Sequence, residues 1–299
     1  MLAAILLGVD LAHVFELLRE MDWLPFLGAL GLFLSGALVR AYRWGSLVWA
    51  LGVRVRWLRL VELYFVGAFF GMFLPTGVGG DAVKMYELSR DDHKASAAIS
   101  SVLVDRFTGL FVLFAIALLA LIGGYELVTP QVRLLIALIF LLSLVAVALL
   151  LQRTWIEGWA RRLRLDRLLG RVKILRELYL SLHLYGSAAL LRATAASVVW
   201  NLILILGYYL LGRAVGIDLS PWYYFLFVPV VSVLLLLPSL GGLGIREGAT
   251  MLLFQQVGVS EARALALALA YDVILLVHAL IGACLYVIQG ILETRQQAR

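Results

Sequence analysis

The chain has 299 residues, 63% of them hydrophobic and 15% charged, with a formal net charge of +6 from 25 Lys+Arg against 19 Asp+Glu. A soluble domain carries roughly 45–50% apolar and about 25% charged residues, so these charges cannot cover a soluble globule of this size, and that class is excluded. In so apolar a chain the basic surplus marks the cytoplasmic side of a membrane more readily than a nucleic-acid surface.

Met1 to Leu7 is apolar but has neither a basic leader nor a small-residue cleavage pattern, and reads as the stub of a membrane helix rather than a signal peptide. An amphipathic segment from Asp10 to Asp22 is expected next. A bilayer core needs roughly 20 apolar residues per spanning helix. Leu24 to Val39 falls short of that length and is closed by Arg40, Arg43 and Trp44, read either as a cytoplasmic anchor or as headgroup ligands at the inner leaflet. Small residues on its faces, such as Gly28, Gly31 and Ser35, suit packing within one chain or in a homodimer.

Leu60 to Leu74 is too short to cross and ends at Pro75 in Pro-Thr-Gly-Val-Gly-Gly. Ala95 to Gly124 and Gln131 to Leu151 are full spans. Residues 152 to 176 then collect Arg153, Arg161, Arg162, Arg164, Arg167, Arg171, Lys173 and Arg176 against only Glu157 and Asp166, which places this connection in the cytoplasm, flat on the anionic inner leaflet. Ala193 to Leu211 and Pro221 to Leu237 are close to spanning length, and the latter runs into Pro-Ser-Leu-Gly-Gly-Leu-Gly. Ala262 to Gly290 is the last span, with Arg295 and Arg299 putting the C-terminus inside. The fold expected is all-α, a single polytopic membrane helix bundle over residues 1–299 with two Gly/Pro-broken or re-entrant helices.

Cys284, the lone cysteine, allows no intramolecular disulfide and is expected to be a buried, inert thiol. His13, His93, His183 and His278 are scattered, so no metal centre and no cofactor are expected. The breaks carry the more specific pattern. Gly79-Gly80-Asp81-Ala82-Val83-Lys84 follows Leu-Pro-Thr, and Gly241-Gly242-Leu243-Gly244-Ile245-Arg246 follows Leu-Pro-Ser, each with a cation four residues after the second glycine. Paired interruptions of this type point to a transporter site at an internal-repeat interface, here an inverted repeat. A helix that starts within the membrane presents free N–H groups and partial positive charge to an anion, to which Lys84 or Arg246 adds a full charge. The competing readings are glycine for close helix packing and Asp81 as a simple N-cap.

Asp105-Arg106 lies roughly 16 Å along a helix from Lys94. Intramembrane charges are costly and must face protein or water. Asp105 is a candidate partner for Arg246, and Arg106 for Glu247 or Asp81; a structural ion pair to the glycine-rich segments is the plainer alternative. Asp272 and His278, six residues apart in the last span, are a weaker candidate proton relay.

Phe73-Leu74-Pro75-Thr76-Gly77-Val78-Gly79-Gly80-Asp81-Ala82-Val83-Lys84, Ser101-Val102-Leu103-Val104-Asp105-Arg106 with Gly109-Leu110, and Pro238-Ser239-Leu240-Gly241-Gly242-Leu243-Gly244-Ile245-Arg246-Glu247-Gly248 resemble the signatures of the lysylphosphatidylglycerol synthase transmembrane (flippase-like) family. Arg40-Ala41-Tyr42-Arg43-Trp44 resembles its basic-aromatic element. The resemblance implies a multi-pass protein of a prokaryotic cytoplasmic membrane that moves an anionic phospholipid, aminoacyl-phospholipid or polyprenyl-phosphate-linked lipid between leaflets. Some members carry a soluble aminoacyltransferase domain; this sequence shows none, so a transporter rather than an enzyme is expected. An integral-membrane lipid-modifying enzyme and a non-catalytic scaffold for such an enzyme are the alternatives. The substrate-binding candidates are Arg40, Arg43, Gly79, Gly80, Asp81, Lys84, Asp105, Arg106, Gly241, Gly242, Gly244, Arg246 and Glu247, and the partners expected are membrane lipids and no nucleic acid.

Overall fold

The computed structural model describes residues 10–74, 79–92, 95–151, 184–237, 239 and 241–297. The basic connection at 152–176, on which the expected orientation rests, lies outside the described residues, as do Pro75 to Val78, Pro238 and Leu240.

All regular structure among the described residues is helical. Helix α1 (Leu11–Arg19) is capped by Asp10, whose carboxylate accepts from the N–H groups of Ala12 and His13. Helix α2 (Trp23–Ala50) is capped in the same way by Asp22. Helix α3 (Trp57–Phe73) stops because Leu74, held extended ahead of Pro75, cannot continue it. Helix α4 (Gly79–Asp92) begins the chain again, followed by α5 (Ala95–Gly124) with a 3-10 turn at Tyr125–Leu127, α6 (Pro130–Leu151), α7 (Ser187–Ala214), α8 (Pro221–Leu234), α9 (Ile245–Gln255) and α10 (Glu261–Gln297). Prolines begin α6 and α8, where the missing N–H has no intrahelical partner to lose.

Among the described residues, four stretches are long and apolar enough to cross a membrane: Trp23–Ala50, Ala95–Leu127, Ser187–Ala214 and Glu261–Ile291. Two shorter apolar stretches, Pro130–Val145 within α6 and Pro221–Leu234, stand beside them. The molecule is a polytopic membrane helix bundle. Helix α2 lies along α7, where Gly36 leaves room for the Trp200 ring and Gly207 for Phe33. Helix α10 lies along α3 in a similar fit, Gly282 meeting the carbonyl of Phe65. Small residues bring membrane helices close enough for dispersion to hold them. Gly28 faces Leu210 of α7 within the same chain.

Three expectations need correction. The first clear helix does not end at Val39: it runs on to Ala50, because Arg43 is buried against a carboxylate and Arg40 is seated between aromatic rings. Charges read as a helix terminus are instead interior groups of a 28-residue helix. Asp81 is not an N-cap, since α4 already begins at Gly79. Cys284 is exposed on α10, which buries one stripe and turns the rest of its apolar surface outward, as a membrane helix does.

A charged cavity between two broken helices

The end of α3 and the glycine turn ahead of α9 lie against each other, with Gly241 packed on the backbone of Met72. Between them and helices α2, α5, α7 and α10 is a cavity of about 430 Å³, within the roughly 300–1,000 Å³ typical of ligand pockets. Five cations, Arg40, Arg43, Lys84, Arg106 and Arg246, line it together with three carboxylates, Asp81, Asp105 and Asp272. Leu236 and Leu243 of the lining are 49% and 47% exposed.

The deepest pair joins α2 to α5. Arg43 Nε donates to Asp105 Oδ1 at 2.6 Å and Nη2 to Oδ2 at 2.9 Å, a two-pronged fit of guanidinium to carboxylate. Both residues are 3% exposed, and Arg43 Nη1 also donates to Ser197 of α7 at 3.3 Å. Gly109 makes the arrangement sterically possible: a Cβ there would stand 2.6 Å from Arg43 Nη1. Asn201 of α7 ties the same turn by donating to the Gly109 carbonyl at 3.0 Å.

Asp81, in the first turn of α4, takes an ion pair from Lys84 at 2.5 Å and a second from Arg106 of α5. Lys84 also sits over the faces of Trp44 and Tyr64, at 5.3 and 5.0 Å from the ring centroids, where the ring quadrupole attracts a cation. Arg40 is different. It stacks on Tyr64 at 4.9 Å and Trp200 at 4.7 Å but has no carboxylate partner among the described residues, and its buried Nε has no acceptor.

At the second break Gly241, Gly242 and Gly244 adopt φ of 57°, 89° and 83°, a left-handed region open to glycine at little cost. Gly244 caps α9, and Glu247 reaches back to accept its N–H at 2.5 Å, the acidic half of a capping box. Arg246 pairs with Asp272 of α10, donates to the Gly241 carbonyl at 3.1 Å and lies over the Tyr271 ring at 5.2 Å. Gly242 keeps space for that guanidinium, since a Cβ would stand 2.6 Å from Arg246 Nη2.

Of the residues chosen from sequence, Arg40, Arg43, Gly80, Asp81, Lys84, Asp105, Arg106, Gly241, Gly242 and Arg246 line one cavity. Gly79 and Gly80 serve packing: a Cβ on Gly79 would collide with Leu74, and one on Gly80 with the carbonyl of Gly67 on α3. Gly244 and Glu247 stand behind the lining as the cap of α9. Arg106 pairs with Asp81 as one alternative had it, but Asp105 takes Arg43 rather than Arg246. Asp272 and His278 form no relay, because the His278 ring nitrogens face the carbonyls of Ile274 and Phe33. Sequence reasoning missed the seats for the cations, Tyr64, Trp200 and Tyr271, and the role of Asn201. A lone asparagine within an apolar span was a usable signal for the last; the aromatic rings are too common in membrane helices to stand out. Among the described residues, no three His, Cys, Asp or Glu side chains converge as a metal site.

Residues 1–282 match the family model described as the lysylphosphatidylglycerol synthase TM region. The chain belongs to this family. It is also similar to the UPF0104 membrane protein PH1989 of Pyrococcus horikoshii, at 23% identity over 283 residues covering 83% of this chain and 82% of that one. No solved structure matches it. The family motifs quoted above are the ones whose described residues surround the cavity, on α2, α4, α5 and the turn into α9.

Proposed function

We propose that the protein takes the anionic headgroup of a membrane lipid into this cavity and carries it between leaflets of a prokaryotic cytoplasmic membrane, the C-terminus lying inside. The observation that carries the reading is the surplus of cations over carboxylates in the lining, with Arg40 lacking any acidic partner among the described residues. An intramembrane cation without a counter-charge is costly unless a ligand or water meets it. Arg40, Lys84 and Arg106 would engage a phosphate, which Arg recognises through paired N–H donors. The exposed lining leucines, Leu236 and Leu243, would offer acyl chains an apolar path to the bilayer. Anionic phospholipids, aminoacyl-phospholipids and polyprenyl-phosphate-linked lipids all meet these chemical demands.

A second reading has a specific observation behind it. The family model is described as the membrane region of a lipid synthase, so the same cavity would also serve a module that presents lipid to a modifying enzyme without moving it across. Leaflet exchange of labelled anionic and zwitterionic lipids in liposomes separates the two. Faster exchange of anionic lipid than in protein-free vesicles, reduced by Arg40→Gln, supports translocation. Wild-type rates equal to those of empty vesicles, together with a co-purified anionic lipid or a lipid-modifying partner, support the presenting module instead.

A further inference from the structure

The second break holds an excess of acid. Glu247 is completely buried on α9, next in sequence to Arg246, and the Asp272 carboxyl of α10 interacts with both of them. Glu247 Oε2 accepts from Gly244, and Asp272 Oδ1 pairs with Arg246. That leaves Glu247 Oε1 and Asp272 Oδ2 buried with no donor among the described residues. The groups facing the pair from the elements packed around it are Arg246 on α9, Tyr271 on α10 and Tyr208 on α7, with Arg40 and Tyr64 beyond Tyr271. Ser232 of α8, a hydroxyl on the cavity wall, is already committed to the Val228 carbonyl, and the buried Thr250 hydroxyl, one turn beyond Glu247 on α9, makes no hydrogen bond to either carboxyl. One guanidinium therefore faces two carboxyl groups.

Two ionised carboxylates in contact repel and are acceptor-only, so neither can satisfy the other. A single proton between them supplies the missing donor and removes the surplus negative charge. We propose that Glu247 and Asp272 form a proton-binding site in which the two carboxyls share one proton, and that anion entry into the cavity is linked to it through Arg246. The linkage, unlike the shared proton, rests on the anionic-headgroup reading. Arg246 lines the cavity and keeps a buried Nε without an acceptor. An anion that draws this guanidinium away from Asp272 leaves two carboxyls and one proton with no cation, and a second proton enters from water to neutralise them. Anion and proton then occupy the protein together.

Infrared spectroscopy of the purified full chain at neutral pH tests the site. The expected result is a carbonyl-stretch band from a buried protonated carboxylic acid that shifts on deuteration and is lost in both Glu247→Gln and Asp272→Asn. A wild-type spectrum without the band, or a band surviving both substitutions, overturns the shared proton. If one variant fails to fold, the wild type and the other decide the same question. In liposomes, anionic-lipid exchange by wild type is expected to accelerate under an imposed pH gradient and to lose that response in both variants. Exchange indifferent to the gradient overturns the linkage. No exchange at all with the band intact overturns the lipid-transport reading and leaves the proton site established.

Discussion

The two breaks look alike in sequence, yet they are opposites in charge. Around the first, Arg40, Arg43, Lys84 and Arg106 outnumber Asp81 and Asp105; around the second, Glu247 and Asp272 outnumber Arg246. A repeated motif of Gly-Gly followed by a cation thus sits in two settings of opposite charge balance, the second reaching behind the cavity lining to Glu247. The difference comes from the partners other helices bring: α5 gives the first break Arg106 for Asp81, while α10 gives the second a further acid.

Substitutions break or sharpen that contrast in order of expected effect. Asp105→Ala strands Arg43 in the interior, and removing one partner of a buried pair typically costs about 3–5 kcal/mol, so thermal unfolding in detergent should show the largest loss here. Asp81→Asn leaves Lys84 and Arg106 without their shared carboxylate and should cost about 2–3 kcal/mol by the same measurement, less because Arg106 is partly exposed. Gly80→Ala forces a methyl into the Gly67 carbonyl and should lower stability by about 1–3 kcal/mol, with Ala at the open Gly31 position as a control expected to cost little. Glu247→Gln should change stability by less than about 1 kcal/mol, because the amide carbonyl still accepts from Gly244 and its NH2 replaces the shared proton as donor to Asp272. A loss as large as that for Asp81→Asn would show that the second break does not carry surplus acid. A similarly small stability effect is expected for Arg40→Gln, limited to its ring contacts at about 0.5–1 kcal/mol, while its effect on anionic-lipid exchange should exceed that of any surface arginine.

Much of the fold was legible because membrane spans are written as length and apolarity, properties of one segment alone. The breaks were legible for a similar local reason, since Leu74 before Pro75 cannot remain helical. The extent of α2 was not. Arg40 and Arg43 in a span resemble a terminus until the partners that neutralise or seat them, Asp105, Tyr64 and Trp200, are known, and those lie far away in sequence. The candidate charges were therefore found one by one, whereas their pairing depended on rotation and register between helices. Arg106 with Asp81 was foreseeable as one of two options, but Arg43 with Asp105 and Arg246 with Asp272 required the packed bundle.

Where α3 and α4 cross, the carbonyl of Gly67 occupies the place a side chain on Gly80 would need. Contact between two main chains has no rotamers to exchange and no soft layer to compress. The two helices therefore have little room to slide past each other at this point, which seats the start of α4, and with it Asp81 and Lys84, against the middle of α3.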